Sequence, residues 1–578
     1  MIRDSRHQEN GWFSLSRWLL AVGLLVSLKA GEPMGAVIGG LETSPPGVEV
    51  GDILLCELNC VACHEASPEV RERLSPKAGP VLGEVARRVR PEFLREWLLG
   101  PARVKPGTTA PDLMHGRPES ERQRAAEDLT HFLVSLAPGG LPDDVPAHRV
   151  AFEQGRVLYH RVGCVACHAP FEAAEGLFAG SSDPEDAAPG AAIVEQFAAT
   201  SVPLGAPASK YTRASLERFL RDPLAARPAG RMPSLNLTPN EARAIATYLI
   251  GREAPPRTAP ARFTVDPRKA RAGRDWFQRL GCAACHALGR EKPELVVRPS
   301  APALADLSAE AGRGCLAEHP PSGVPRFHLR NDQRNALRTA LARVGELSRP
   351  LTPAEVVAHT MTRLNCYACH HRDGVGGPSA ERGGYFTSVV TEDLGDEGRR
   401  PPHLTGVGEK LRPEWLEQVL TNQAAVRPYL GTRMPQFGSA QVRPLVAAFG
   451  AADLVQRAPP APAMGDLEAG RVLVGTNGLA CITCHRFGPH PGINTSALDL
   501  TWMTRRLQRS WFQRYLLDPA ELRPGTRMPM FWPDGEAMLK TVLEGDTSRQ
   551  IESLWQYLSV GNAAQPPDGV PAPDQARR

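Results

Sequence analysis

Apolar positions along this chain fall into short helical stretches set in long Pro- and Gly-rich connections. In "GRVLYHRVGC" (155–164) and "GRDWFQRLGC" (273–282) they recur at the spacing of one helix face. A second set is aromatic-rich: "PEFLREWLLGP" (91–101), "SLERFLRDP" (215–223), "PEWLEQVL" (413–420) and "SWFQRYLLDP" (510–519). Pro or a Pro-containing turn stops three of these helices. A third set comprises "EDLTHFLVSL" (127–136), "EARAIATYLI" (241–250), "NDQRNALRTALARV" (331–344) and "QIESLWQYLSV" (550–560). Phe132-Leu133, Tyr248-Leu249 and Tyr557-Leu558 supply the same aromatic–aliphatic pair, which predicts packing of each last helix on the first helix of its unit.

One apolar run differs. "WLLAVGLLVSL" (18–28) follows Arg3, Arg6 and Arg17 and precedes "KAGEPMGAVIGG", the tripartite pattern of a secretory signal. It is short for a bilayer span of about 20 residues. Cleavage after Ala30 or Ala36 is expected, with an uncleaved anchor as the alternative. Membrane association is expected only through this segment.

The helix sets repeat in a fixed order at a long period, so the chain reads as five units. The expected boundaries are 1–36 for the signal, then 48–138, 148–252, 266–346, 351–455 and 464–561, with a disordered tail at 562–578. Pro- and Ala-rich stretches near 138–147, 253–264 and 457–463 read as linkers, and 171–192 reads as a flexible loop.

Cysteine now sharpens the picture. Ten of twelve fall in five C-x-x-C-H frames: Cys60, Cys63 and His64; Cys164, Cys167 and His168; Cys282, Cys285 and His286; Cys366, Cys369 and His370; Cys481, Cys484 and His485. This is the attachment signature of c-type haem. Two thiols three positions apart can add to the two haem vinyl groups, and the next residue offers its imidazole to iron. A zinc site needs two such pairs close together in sequence, and these lie about a hundred residues apart. Five c-type haems are the expected cofactors.

A turn with Met precedes the last helix in "RPAGRMP" (227–233), "RPYLGTRMP" (427–435) and "RPGTRMP" (523–529), which makes Met232, Met434 and Met528 candidate axial ligands. The first unit departs from this. Aligning "KPGTTAPDLMHG" (105–116) puts Ala110 in the Met slot, with Met114 and His115 just beyond. Met114, His115 or neither closes that iron. In the third unit "SGVPRFHL" (322–329) stands in place of the Met turn, and Val324 cannot ligate. His328, His319, Cys315 or an open position remain. Cys56 and Cys315 lie outside the motifs and could pair in an exported protein.

The plan resembles class I cytochrome c, over nearly all of the chain beyond the signal. The resemblance implies an all-α chain of five consecutive small cytochrome c-like domains, each around a covalent haem and joined by Pro/Ala-rich linkers. It also implies haem attachment outside the cytoplasm, hence export to the periplasm or to a membrane face turned toward it. The implied activity is electron transfer between redox proteins, with no catalytic residues. The alternatives are a peroxidase- or reductase-like haem enzyme with an open third haem, and a cytochrome subunit of a dehydrogenase complex.

Charge adds little. The formal net charge is +4, and loss of residues 1–36 leaves 63 basic against 60 acidic residues. Ten haem propionates would turn the loaded protein negative. No basic patch with interleaved aromatics points to nucleic acid.

Overall fold

The computed structural model describes residues 35–142, 144, 146–178, 190–253, 263–289, 301–307, 313–421, 424–454 and 463–571. The fold is helical. Among the described residues the paired strands are His371–Arg372 and Val375–Gly376, a short antiparallel hairpin. Residues from Met34 onward form one compact unit.

The helices that carry the architecture are labelled here in chain order. α1 (Val50–Glu57), α4 (Arg149–Arg161), α7 (Pro267–Arg279), α9 (Pro353–Arg363) and α12 (Leu467–Val474) lead into the five motifs. α2 (Pro91–Leu99), α5 (Arg213–Arg221), α10 (Pro413–Thr421) and α13 (Arg509–Leu517) are the aromatic-rich second helices. α3 (Glu119–Ser135), α6 (Pro239–Gly251), α8 (Asn331–Ala342), α11 (Pro444–Ala452) and α14 (Thr547–Ser559) are the last helices. Side-chain caps fix several starts. Thr238 and Glu241 form a capping box at α6, as Thr352 and Glu355 do at α9.

Each leading helix crosses a last helix, and in four of the five a glycine marks the crossing. A Cβ at Gly155 would collide with the carbonyl of Ala244 in α6, and one at Gly470 with that of Ser553 in α14. The aromatic of each last helix, Tyr248 or Tyr557, lies over the same notch. α9 crosses α11 with Val357, buried, at the equivalent place.

The remaining two crossings are exchanged. Gly51 of α1 notches against Ala336 of α8, and Gly273 of α7 against Asp128 of α3. Phe132 packs on Phe277 with ring centroids 5.4 Å apart. The cores follow suit. Ile53, Leu54 and Leu74 share a cluster with Leu304, Leu329, Leu337 and Leu341, while Phe93, Leu129 and Phe132 cluster with Trp276 and Phe277. Residues 48–138 and 266–346 therefore do not each close on themselves as expected. They trade halves. The physical reason is that α3 and α8 offer similar apolar stripes to similar glycine notches, so local pattern does not choose between them.

Other expectations also change. Ala36 is buried and its carbonyl accepts from Gln333 Nε2 at 2.7 Å, so the end of the expected 1–36 signal belongs to the fold. The rest of that segment lies outside the described residues. Within the expected flexible loop 171–192, Phe171 stacks on Tyr159 and Ala174–Phe178 is helical, because the aromatic finds a core. Residues 179–189 lie outside the described residues, as do most of the expected linkers 253–264 and 457–463. In 138–147, Asp144 accepts from the Arg213 backbone at 2.9 Å. The expected tail is tied down as far as residue 571: the carbonyl of Asp568 accepts from Thr476 N, and its carboxylate pairs with Arg471.

Candidate functional site

Each motif follows its leading helix through a left-handed or glycine residue into one turn of 3-10 helix. Asn59, Asn365 and Ala480 take positive φ at this point, and Gly163 and Gly281 hold the same place. In all five the backbone N–H groups of the second cysteine and of the histidine donate to the carbonyl of the first cysteine.

All five histidines are oriented alike. Nδ1 donates to a backbone carbonyl: His64 to Pro302 at 2.9 Å, His168 to Val202 at 2.7 Å, His286 to Pro80 at 2.8 Å, His370 to Pro402 at 2.8 Å and His485 to Leu498 at 2.9 Å. Such a bond fixes the tautomer and leaves Nε2 as the ligating nitrogen. Burial pushes His168, His286, His370 and His485 below the ordinary imidazole range, His168 down to about 4, so these rings are neutral at pH 7. A neutral ring is the form that binds a metal.

All twelve cysteines are free thiols. The suggested Cys56–Cys315 pair does not form, because Cys56 is fully buried with its thiol donating to the Ser75 carbonyl at 3.2 Å. Burial pushes Cys164, Cys282, Cys366 and Cys481 up to about 12. Paired free thiols beside an Nδ1-anchored histidine fit covalent haem attachment, and Met thioethers supply a second axial donor type.

The exchange moves two sets of distal candidates to different motifs. The carbonyl that holds His286 comes from Pro80, and Met114 sits in the core shared with Trp276 and Phe277. Met114 is 2% exposed, and Asp112 Oδ1 accepts from its backbone N–H at 2.8 Å. Met114 thus belongs with Cys282, Cys285 and His286 rather than with His64. Conversely, Pro302 holds His64, and Leu304 N donates to Glu65 O at 2.7 Å. The Val324 turn with Cys315, His319 and His328 belongs to the His64 site, and Cys315 raises the thiol of Cys60 there after burial. His319 is exposed and His328 half-buried. His115 is used otherwise, donating to the Val324 carbonyl.

Met232 and Met528 are half-buried against their own cores, and Met434 is 38% exposed. Arg231, just before Met232, is pinned by Glu57. Its guanidinium donates to the carboxylate at 2.8 Å and to the Glu57 and Lys77 carbonyls.

Sequence reasoning missed the contacts between sites. Asn59 Nδ2 points at Cys285 Sγ at 3.8 Å, and Asn365 Nδ2 donates to Cys167 Sγ at 3.4 Å. Two motifs, "NCVACH" and "NCYACH", thus each offer an asparagine to a motif of the form "GCxACH". The signal was the Asn/Gly alternation before the first cysteine. The distal turns also meet, through antiparallel bridges Asp112–Arg326 and Ser234–Gln436.

Among the described residues no cluster of three His, Cys, Asp or Glu could hold a bare metal ion, and no helix is long and apolar enough to cross a membrane. No family model, curated protein or solved structure matches the chain.

Proposed function

We propose that this chain is an extracytoplasmic multihaem c-type cytochrome that carries electrons between redox proteins through five covalent haems. The observation that carries the reading is the fivefold repetition of one local geometry: two free thiols on a 3-10 turn and a histidine whose Nδ1 is tied to a carbonyl. A disulfide role does not call for a histidine so held, and a structural zinc needs four clustered ligands, which the described residues do not gather.

The cysteine pairs would fix the rings, and His64, His168, His286, His370 and His485 would ligate iron. Haem, when bound, supplies reversible one-electron chemistry. The chain contributes burial, ligand choice and hydrogen bonds, which spread the potentials. Met232, Met434 and Met528 are the proposed distal ligands at the His168, His370 and His485 sites. Met114 takes that role at the His286 site. The His64 site has no Met in its distal turn, so peroxidase- or reductase-like chemistry, the alternative function, would take place there.

Intact mass spectrometry of the exported protein tests this directly. Five covalent haems are expected, and a smaller number overturns the reading. A potentiometric titration should then resolve one-electron steps only.

A further inference from the structure

Two junctions concentrate more cations than they have anions to meet. At the first, Arg90 N donates to Lys210 O at 2.9 Å and Val81 N to Ala226 O at 2.9 Å, joining the loop below Pro80 to the segments flanking α5. Arg88, Lys105, Lys210 and Arg227 converge there. Arg88 Nη2 donates to Val81 O at 3.3 Å, Lys210 lies 5.3 Å over the Phe93 ring, and Arg227 5.4 Å over that of Phe219. Among the described residues none of the four has a carboxylate partner.

The second junction is built the same way. Gln508 N donates to Lys410 O and Arg412 N to Arg506 O, both at 2.9 Å. Lys410 lies 4.5 Å over the Trp511 ring, as Lys210 does over Phe93. Lys410, Arg427, Arg506 and Arg523 gather there against one acid, Glu397, which pairs with Arg523 at 2.6 Å.

Crowding like charges out of water is costly unless anions join them. Burial, then Arg227 and Lys210, push Lys105 down to about 7, and burial with the neighbouring arginines likewise depresses Lys410. Each junction also adjoins two of the five histidines. Pro80, whose carbonyl holds His286, leads directly into Val81, whose carbonyl accepts from Arg88, and Gly205, just past the Val202 that holds His168, abuts the Val104 carbonyl beside Lys105. Lys410 follows closely on Pro402, whose carbonyl holds His370, and Arg506 on Leu498, whose carbonyl holds His485. Haem carries its carboxylates on the ring edge opposite its two thioether attachments. The asparagine contacts bring the opposite edges together: Asn59 at Cys285 joins the His64 and His286 sites, and Asn365 at Cys167 joins the His168 and His370 sites.

We infer that each cationic junction is a carboxylate site shared by two haems, the first by those at His168 and His286 and the second by those at His370 and His485. This rests on the haem reading above. The haems then follow one another in space in the order His64, His286, His168, His370, His485, meeting alternately by thioether edge and by carboxylate edge. The sequence order is broken, and the Met-free site stands at one end of the row.

The test is a redox titration of full-length holoprotein carrying Lys210→Met or Lys410→Met. Removing a cation disfavours the reduced iron less than the oxidised one is relieved, so potentials nearby fall. Each variant should lower two of the five midpoint potentials and leave three unchanged, and the two pairs should share no member. Loss of one motif by a Cys366→Ala/Cys369→Ala exchange should remove one member of the Lys410 pair. A shift of one haem, of more than two, of the same haem in both variants, or of none overturns the inference. Arg427→Gln repeats the second test should Lys410→Met fold poorly. Wild-type potentials should not depend on phosphate. A phosphate-dependent shift at these haems would assign the junctions to a soluble anion and overturn the proposal. Fewer than five haems by mass would instead sink the haem reading itself.

Discussion

Phe132 and Phe277 lie ring against ring at 5.4 Å although 145 residues separate them in the chain. That contact locks α3 onto α7, and its counterpart at Gly51 and Ala336 locks α1 onto α8. A double-mutant cycle reads the exchange. Phe132→Ala and Phe277→Ala should each cost about 3–5 kcal/mol. Their sum should exceed the double variant by about 0.5–1.5 kcal/mol, the usual coupling of an aromatic pair. Strict additivity in chemical denaturation would argue that the two helices do not touch.

Under the proposed function Met114 gives a sharper test, because the exchange moves it from the His64 site to the His286 site. Met114→Leu should convert one His/Met spectroscopic signature in the low-temperature EPR spectrum of the loaded protein. In a Cys282→Ala/Cys285→Ala background the same change should have no effect. In a Cys60→Ala/Cys63→Ala background the effect should persist. The reverse outcome would return Met114 to the His64 site.

Glu57 holds a buried ionic cluster where three segments meet. Its carboxylate pairs with Lys77 and with Arg231, and Lys77 Nζ donates to the Arg363 carbonyl at 2.8 Å. Burial alone would raise the Glu57 carboxyl, yet Lys77 and Arg231 outweigh it and hold it low. Glu57→Gln leaves buried cations without a partner, and the expected loss is about 3–5 kcal/mol. A loss below about 1 kcal/mol in urea denaturation would show that the cluster finds another anion.

His160 should make stability fall in acid. It is fully buried, its Nδ1 donates to Arg156 O at 2.8 Å, and its Nε2 accepts from Phe171 N at 3.1 Å. The second bond requires the neutral ring, because a protonated Nε2 has no lone pair to accept with. Burial is the main cause that pushes it down to about 4. The unfolded chain binds its proton near pH 6.5, the folded chain only near 4, so this contribution is whole above 6.5 and lost as pH falls toward 4. Up to about 3 kcal/mol is at stake. Urea stability measured at pH 7 and pH 4.5 should drop less in His160→Gln than in the parent. An equal drop would place the acid sensitivity elsewhere.

Much of this was legible in the sequence. The second helices at 91–101, 215–223, 413–420 and 510–519 stand where the aromatic runs put them, and the five motifs share one backbone form. Partner choice was not legible. Gly51 could cross Asp128, 77 residues on, or Ala336, 285 residues on, and the longer closure costs only about 1 kcal/mol more. That difference is smaller than one well-packed aromatic contact, so pattern cannot decide it. The junctions escaped for another reason. Lys210 and Lys410 look like ordinary scattered charge, although each lies three residues before a second helix, in "KYTRASL" and "KLRPEWL". Only the fold shows that their neighbours are also cations.

The trade of halves between 48–138 and 266–346 has a consequence for how the protein is made. A chain emerging from its N-terminus presents Cys60, Cys63 and His64 early, but α8, which closes over them, follows some 270 residues later. At roughly 5–20 residues per second this is a wait of about 15–60 s. Throughout that interval the first motif stands without the helix that covers it. No cassette that contains the first unit and ends before residue 331 could be cut out, copied or lost without leaving an unfinished half behind.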